Sequence, residues 1–404
     1  MTINQKKNTI LFLTGQVLSL FGSMVVQYAI LWHITLKTQS GSMMTVFTVA
    51  GFLPMFLISP FGGVWADRFN RKHLINAADG SIALVSLLAA VLLVFGIDSA
   101  VILLLCSAVR SFGQGVQMPA VGAFVPQIVP AEHLTRINGI QSSIQSFVAL
   151  SAPVVSGALM SVAPLQTLFF LDVLTAAIGI SILFFFVKTP AVLKSDRKKP
   201  EYFRDLKNGI RYIREHGYIV LLLTLSAIFM FFASPAMLLT PLQVARNFGD
   251  DAWRLAAIEV TFSVGMMAGG VLIGVWGGFK NRVITLSLSC ALFGIETIGL
   301  GVAPDFLIYC VVMAVMGISM PMYNTPVMVL LQTTVDPDFM GRVLSVIMML
   351  NSVMIPVGML IFGPLSDRIS IDVILIGTGI IMALLCIPYA ASKSLRNAGR
   401  SIPG

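Results

Sequence analysis

The chain has 404 residues, of which 57% are hydrophobic and only 11% charged, and its mean hydropathy is +0.90. Ordinary soluble domains contain about 45–50% apolar residues, so a soluble protein of this length cannot bury so much apolar surface. A bilayer accommodates that surface at about 20 apolar residues per spanning helix. The composition therefore excludes a soluble protein and indicates one that crosses the membrane many times.

The net charge of +8 does not indicate nucleic-acid binding, because the basic residues form no patch interleaved with aromatic residues. The cysteines lie inside apolar runs without the spacing of metal ligands, and we interpret them as small hydrophobic residues. We therefore expect no metal, no nucleic-acid partner, and no cofactor beyond a proton gradient as energy source. The cysteines are Cys106, Cys290, Cys310 and Cys386.

The N-terminal stretch predicts a first membrane span. Lys6 and Lys7 precede an apolar run of about 22 residues, which is too long for the hydrophobic region of a secretory signal. Twelve such runs follow one another, and each is expected to be helical because backbone groups that face lipid must bond within their own segment. The predicted spans are 10–32, 43–65, 73–95, 100–122, 138–162, 167–187, 218–241, 255–276, 283–302, 306–330, 343–365 and 371–391.

The distribution of lysine and arginine favours cytoplasmic termini. With that topology 21 of the 26 basic residues fall in inner turns or tails, four fall in outer turns, and only Arg110 lies inside a span. This bias is what the positive-inside rule requires. We therefore predict an all-α membrane protein with twelve transmembrane helices in two six-helix bundles, with both termini cytoplasmic.

The longest polar stretch, residues 188–217, separates six spans from six. It predicts an N-terminal bundle at 1–187, a cytoplasmic linker at 188–217 and a C-terminal bundle at 218–404. Apolar residues in the linker share one helical face, which favours an amphipathic helix on the inner leaflet, attracted by anionic lipid. A solvated linker helix is the alternative. The apolar face comprises Tyr202, Phe203, Leu206, Ile210 and Ile213.

A weak internal repeat relates the two halves. Residues 108–136 align with residues 314–342 at an offset of 206, with Ala-Val opening both segments and Arg closing both. Two parallel six-helix repeats with a site between them are a recurrent plan of transporters.

The turn between spans two and three, GGVWADRFNRK at 62–72, concentrates four charges within six residues. It resembles the signature of the major facilitator superfamily, Gly-x-x-x-Asp-Arg/Lys-x-Gly-x-Arg/Lys-Arg/Lys, although Asn70 replaces the second glycine and the following spacing is one residue shorter. Asn tolerates left-handed backbone angles, so we expect the tight turn to be retained. The matching residues are Gly63, Asp67, Arg68, Arg71 and Lys72.

The resemblance implies that this turn belongs to the inner gate of an alternating-access transporter. Asp67 is expected to accept hydrogen bonds from the N-terminus of the eleventh span, near 339–342, where the helix dipole favours an anion. The three basic residues are expected to meet acids in neighbouring turns, and a simple marker of the cytoplasmic side is the alternative. The second-half counterpart, GVWGGFKNRV, has Gly278 where the aspartate would stand, so the predicted latch is one-sided.

Arg110 is the one charge near the middle of a span. A central arginine costs about 2.5–3.5 kcal/mol to insert, so we expect it to face the bundle interior and to have a partner. Its segment, RSFGQGVQMPA, resembles the fourth-helix signature of the superfamily and, more closely, its macrolide-efflux-type members. The resemblance implies a role in coupling drug export to proton influx. Because arginine keeps its proton, it would tune a carboxylate or contact substrate; a structural arginine tying helices together is the alternative.

Proton coupling requires a buried group that binds and releases a proton near neutral pH, which a desolvated carboxylate can do. We prefer Glu259 on span eight, which is expected to line the interface between the halves. Many antiporters of the family carry an acid on the first span, where this chain has Gln16 and Gln27. The other candidate acids are Glu296, Asp172 and Asp79. The resemblance places spans three and six at the periphery, which favours helix-tying roles for the two aspartates.

Spans one, four, seven and ten are expected to line a central cavity. The 22 methionines suit a deformable apolar pocket, although ordinary packing is favoured for any single one. The cavity candidates are Gln27, Tyr28, Gln114, Gln117, Met118, Phe231, Phe232, Met237, Met320, Tyr323 and Asn324. Small residues at four-residue spacing on span eight are interpreted as helix packing. They are Gly265, Gly269, Gly270, Gly274 and Gly278.

The leading hypothesis is a secondary exporter of lipophilic or amphipathic drugs, with macrolide-like compounds as the first substrates to test. No Gly-x-x-x-x-Gly-Lys-Ser/Thr stretch is present, so ATP is not its own fuel. One alternative is an importer or a metabolite or lipid carrier of the same fold. Another is a membrane receptor or lipid-modifying enzyme, which calls for an extramembrane domain or a catalytic cluster. We expect a multi-pass, non-enzymatic protein of the bacterial plasma membrane, with small-molecule, proton and lipid partners and a monomer favoured.

Overall fold

The computed structural model describes residues 3–188 and 202–400, and this part contains helices and no strand. Twelve helices within it are long and apolar enough to cross a membrane, which confirms the predicted fold class. The first six spans are α1 (Ile3–Thr38), α2 (Gly41–Arg68), α3 (Arg71–Val94), α4 (Ala100–Ile128), α5 (Leu134–Val162) and α6 (Leu165–Ser181). The last of these continues as a π-helical turn, Ile182–Phe186.

The helix between the sixth and seventh spans is α7 (Tyr202–Glu215). The remaining helices are α8 (Gly217–Leu238), α9 (Thr240–Asn247), α10 (Ala252–Trp276), α11 (Arg282–Val302), α12 (Phe306–Thr334), α13 (Pro337–Leu365), α14 (Ile371–Leu384), α15 (Cys386–Ala391) and α16 (Lys393–Arg400). The seventh span is α8 continued by α9, and the twelfth is α14 continued by α15. Pro241 in the first turn of α9 lacks a backbone N–H, which accounts for the helical hydrogen bonds being interrupted there.

Most helices extend beyond the apolar runs that predicted them. The first run begins at residue 10, whereas α1 begins at Ile3. Apolar composition marks the part of a helix inside the hydrocarbon layer, while backbone hydrogen bonding continues through polar residues at the interface. The predicted limits therefore locate the bilayer-spanning part of each helix and not the helix ends.

The chain forms two compact units. The first comprises residues 1–38, 46–196 and 251–256, and the second comprises 39–45, 197–250 and 257–404. The boundary at 45/46 lies inside α2, so the first turn of this helix belongs to the second unit. The predicted domain limits stay a prediction.

In the first unit, α1 packs closely against α6 and α3 against α4. A Cβ on Gly179 would lie 2.8 Å from the backbone oxygen of Gly15, so these two glycines allow the backbones of α1 and α6 to touch. Toward one end of the unit, the rings of Phe12 and Phe124 lie 5.0 Å apart in an apolar cluster.

In the second unit, α11 packs against α14 and α12. A Cβ on Gly294 would lie 2.6 Å from the backbone oxygen of Gly379, so the α11–α14 contact also depends on small residues. Helix α7 packs on the start of α13, where the ring of Tyr212 stacks on Phe339 at 4.6 Å. Residues 189–201 of the predicted linker lie outside the described residues, and contact of α7 with lipid stays a prediction.

Candidate functional site

The charged turn at 62–72 has a different backbone from the one expected. Asn70 has φ −65° and ψ 113°, and its side chain accepts a hydrogen bond from the backbone N–H of Lys72 at 3.0 Å. Asn70 is therefore the N-cap of α3, and the expectation of left-handed backbone there is wrong. The first N–H groups of a helix have no partner within the helix, and an Asn side chain supplies one. Asn281 caps α11 in the same way, accepting from Val283 at 3.0 Å.

The two basic residues that begin α3 mainly bind carbonyl groups. Arg71 donates to the carbonyl of Ala123 in α4 at 2.9 Å. Lys72 donates to the carbonyls of Phe184 and Val187, both at 2.8 Å, where the sixth span ends. Carbonyls at helix C-termini lack helical partners and attract cations. The expected acidic partners in neighbouring turns are thus replaced by helix ends for these two residues.

Asp67 is held only loosely within its own unit. Its carboxylate lies 3.6 Å from the guanidinium of Arg71, and its side chain is 48% exposed. An exposed pair of this kind contributes about 0–1 kcal/mol, so Asp67 is free to bind elsewhere. Arg68 is exposed and Gly63 half-buried. The predicted contact of Asp67 with the start of the eleventh span stays a prediction.

Arg110 lies fully buried in the first unit and binds three helices. It forms an ion pair with Asp172 of α6, hydrogen-bonds the hydroxyl of Ser86 in α3, and donates to the backbone oxygen of Ser23 in α1 at 3.0 Å. Asp172 also accepts from Ser86 at 2.8 Å and from Ser23 at 3.1 Å. The arrangement gives the arginine the interior position and the partner that its insertion cost demands.

Asp79 forms a second buried polar group in the same unit. Gln117 of α4 donates to its carboxylate at 3.1 Å, and the same amide lies 3.4 Å from the side-chain oxygen of Gln16 in α1. Asp79 is 4% exposed, and no salt bridge to it is found in the described part of the chain. A carboxylate that is buried among neutral partners is a group on which a proton can be exchanged.

The second unit holds the two glutamates. Glu296 in α11 accepts a hydrogen bond from Ser319 in α12 at 2.7 Å, while its other carboxylate oxygen is buried without a hydrogen-bond partner among the described residues. Glu259 lies on α10 and is partly exposed. The four carboxylates therefore divide into two pairs, one in each unit.

The cavity candidates differ in exposure. The buried members are Met320 and Tyr323. The partly exposed members are Gln27, Tyr28, Gln114, Gln117, Phe231, Phe232 and Met237. The exposed members are Met118 and Asn324. Assignment of all of them to a substrate cavity stays a prediction.

Two aromatic groups of the second unit involve these candidates. Phe231 lies 5.1 Å from Phe232 and 5.4 Å from Phe362 of α13, measured between ring centroids. This partly exposed cluster presents an apolar aromatic surface. Tyr323 instead stacks on Phe229 at 4.1 Å and hydrogen-bonds the hydroxyl of Tyr389 at 3.1 Å. In this structure Tyr323 is therefore a packing residue of the bundle interior.

One charged residue of the second unit was not identified from the sequence. Asp367, just after α13, binds the first turn of α2 through several hydrogen bonds. A sequence signal was present, because Gly-x-x-x-Asp-Arg occurs at 63–68 and again at 363–368. The search for a second-half counterpart considered only the turn near Gly278, which is equivalent in sequence order.

The fold and these sites define a multi-pass membrane protein of the transporter type. The model of the Major Facilitator Superfamily matches residues 12–359. Macrolide efflux protein A of Streptococcus pyogenes is 31% identical over 380 residues, which cover 92% of this chain and 93% of that protein. The protein of the same name from Enterococcus faecalis is 30% identical, with coverage of 79% and 99%. Multidrug efflux pump Tap of Mycobacterium bovis is 23% identical, with coverage of 88% and 86%.

Solved structures show the same fold at low identity. A bacterial homologue of the iron transporter ferroportin, in an inward-facing state, aligns with a TM-score of 0.71 at 14% identity and covers 97% of this chain and 100% of its own. A POT family transporter in complex with 5-aminolevulinic acid gives a TM-score of 0.72 at 12% identity, with 94% of both chains covered.

The chain belongs to the major facilitator superfamily. It is a transporter, and its twelve spans and bacterial relatives place it in the bacterial plasma membrane as a multi-pass protein.

Proposed function

We propose that this transporter is a secondary exporter of lipophilic or amphipathic drugs, with macrolide-like compounds as the first substrates to test. The single observation that carries the proposal is the 31% identity to macrolide efflux protein A over more than nine-tenths of both chains. The aromatic cluster of Phe231, Phe232 and Phe362 supports it, because partly exposed rings bind apolar ligands of varied shape without a charged anchor.

Expression in a drug-hypersensitive bacterium tests the direction and the substrate class. Cells that carry the transporter should tolerate higher concentrations of at least one macrolide or lipophilic cation than cells with the empty vector. They should also extrude a lipophilic dye, and a protonophore should abolish that extrusion. Unchanged tolerance and dye retention across a broad panel, with the protein present in the membrane, would contradict export.

We propose further that export is driven by proton influx and that Glu259 carries the proton. Glu259 has no hydrogen-bond or ion-pair partner among the described contacts, whereas Asp172 is occupied by Arg110 and two serines. Asp172 would have to break these contacts in order to bind a proton, which favours a helix-tying role for it and for Arg110. Glu296, with one unpartnered oxygen, and Asp79, with neutral partners, are the second choices.

Amide substitution of each acid separates these roles. Glu259→Gln should abolish uphill export and its pH dependence while leaving ligand binding in place, because the amide keeps the shape of the side chain but exchanges no proton. Glu296→Gln and Asp79→Asn serve as matched comparisons in the same assay. Wild-type pH dependence in Glu259→Gln would remove this residue from the coupling scheme.

An importer or carrier of small metabolites remains the second candidate. A compact group of charged side chains in the cavity would favour it, and among the cavity candidates there is none with a charge. Energy-dependent accumulation of a polar metabolite in cells that show no drug export would establish this alternative.

A further inference from the structure

The two Gly-x-x-x-Asp-Arg segments stand at the ends of two helices. Residues 63–68 complete α2, and residues 363–368 follow from the last turn of α13. In the predicted topology Asp67 therefore lies on the cytoplasmic side and Asp367 on the outer side. The first segment matches the superfamily signature, and the second repeats its Gly, Asp and Arg at an offset of 300 residues.

Asp367 is bound to the N-terminus of α2. One carboxylate oxygen accepts a hydrogen bond from the backbone N–H of Gly41 at 2.7 Å. The other accepts from the backbone N–H of Ser42 and from the hydroxyl of Ser40, both at 2.9 Å. A carboxylate so placed satisfies N–H groups that have no helical partner and lies at the positive end of the helix dipole.

A single arginine holds the other side of this contact. Arg246 in α9 lies 3.1 Å from the Asp367 carboxylate and donates to the backbone oxygens of Ser366 and Gln39, at 2.6 and 2.5 Å. Gln39 has a φ of +44°, a left-handed conformation that is uncommon outside glycine and fixes the entry into α2. Arg246 therefore bridges the end of α13 and the residue before α2.

The helices approach so closely at this point that only glycine fits. A Cβ on Gly41 would lie 2.3 Å from the backbone oxygen of Gly363, and a Cβ on Gly363 would lie 2.7 Å from that of Gly41. One turn further on, the hydroxyl of Thr45 donates to the backbone oxygen of Met359 at 3.0 Å. Charge, hydrogen bonds and packing all bind the first turn of α2 to α13, and we name this contact of Asp367 and Arg246 with residues 39–45 the outer clasp.

We propose that Asp367 is a second gate residue, and that the outer clasp and Asp67 act at opposite ends of α2 in alternate states of transport. The inference rests on the proposed transport function for its place in the cycle. Helix α2 begins in the second unit and continues in the first. A rearrangement between the units must therefore either bend α2 or release its first turn from Asp367. In the same structure Asp67 has only the weak 3.6 Å pair with Arg71, as expected if one aspartate is engaged at a time.

Thiol labelling tests the clasp directly. In a variant without native cysteines, Met43→Cys reports the accessibility of the first turn of α2 to a membrane-impermeant maleimide added outside intact cells. Asp367→Ala should raise the labelling rate about tenfold, and Asp367→Asn should raise it less because the amide still accepts hydrogen bonds. Labelling at the parent rate in both variants would overturn the proposal.

Asp305 provides the matched control. It is also a helix-capping aspartate on the predicted outer side, but it accepts from Ile308 in the helix that directly follows it, at 2.9 Å. Asp305→Ala should leave the labelling of Met43→Cys within twofold of the parent. An increase equal to that of Asp367→Ala would show a general loosening and would overturn the specific role of Asp367.

Crosslinking tests the role in transport. Ser40→Cys combined with Asp367→Cys should be joined by a short, cleavable thiol crosslinker, and joining should reduce export at least tenfold, with recovery after cleavage. Export at the uncrosslinked rate would overturn the gate role. If the parent exports no compound of the panel, the export proposal fails, whereas the labelling comparison still decides whether Asp367 holds α2.

Discussion

Arg110 and Asp172 show what a charge inside the membrane requires. Both side chains are fully buried, and the pair joins α4 to α6 while two serines complete its hydrogen bonds. Removing one member of a buried pair leaves the other charged and unpaired, which costs about 3–5 kcal/mol. Replacing both by apolar residues of similar volume is often neutral or better.

We therefore expect Asp172→Asn to lower the apparent unfolding temperature in detergent by on the order of 10 °C. The double variant Arg110→Met, Asp172→Leu should recover at least half of that loss, and Glu132→Gln, at an exposed side chain, should change nothing. Thermal scans at one fixed rate would measure all three. A double variant that is stable but exports nothing would assign Arg110 a role in transport; one that exports normally would make it a helix tie.

Asp367 is expected to stay ionised throughout the physiological pH range. Burial by itself raises the pKa of this carboxyl, but hydrogen bonds from Ser42, Gly41 and Ser40 outweigh it and lower the pKa from 3.8 to about 2. Because the folded-state pKa is lowered, the stabilisation is complete above pH 3.8 and is lost as the pH falls toward 2. The outer clasp therefore contributes nothing to pH dependence near neutrality.

The ratio of Met43→Cys labelling rates between Asp367→Ala and the parent should accordingly be constant from pH 5 to pH 8. The measurement needs a buffer series and the known pH dependence of the maleimide reaction, which cancels in the ratio. A ratio that changes several-fold across this range would show that Asp367 titrates there, contrary to its hydrogen bonding.

The sequence predicted some of these residue environments and not others. The insertion cost of a central arginine was sufficient to predict a buried partner for Arg110, but choosing Asp172 required the rotation of α6 about its axis, which twelve uniformly apolar spans do not reveal. Asn70 was assigned to a turn because its spacing resembles a glycine position, and the start of α3 at the next residue made it a cap. Asp367 was missed because its partner is 325 residues away in the chain.

At the scale of elements, glycine spacing on α10 predicted close packing for five residues and the structure distinguishes among them. A Cβ on Gly265 would lie 1.9 Å from the backbone oxygen of Ala314 in α12, and one on Gly269 would lie 2.4 Å from that of Ile318. Gly270 and Gly274 have nothing within 4 Å, and Gly278 has a φ of +78° in the following turn. Four-residue spacing identifies the helix but not which face meets its neighbour.

This difference gives a matched pair of substitutions. Gly265→Ala should separate α10 from α12 and reduce the yield of monodisperse protein several-fold, because the added carbon meets backbone that cannot rotate away. Gly270→Ala, one turn away in open space, should match the parent. Size-exclusion profiles of fluorescently tagged protein after heating would compare them, and equal profiles would show that the backbones can separate at little cost.

At the scale of the whole molecule, hydropathy and the basic-residue distribution were sufficient to predict twelve helices, because the bilayer imposes both constraints on every span. The division of the chain was less predictable. The second unit includes residues 39–45, which the sequence assigned to the first bundle. No local pattern reports this, since the contact depends on where α13 ends in space.

The most direct test of proton-driven drug export uses purified protein in liposomes. An imposed pH gradient should drive a radiolabelled macrolide uphill, against its own concentration gradient and opposite to the direction of proton flow, and a protonophore should stop it. Glu259→Gln should equilibrate the drug without concentrating it. Accumulation that is absent with every compound of the panel, or that persists unchanged after the proton gradient is collapsed, would contradict a proton-driven exporter.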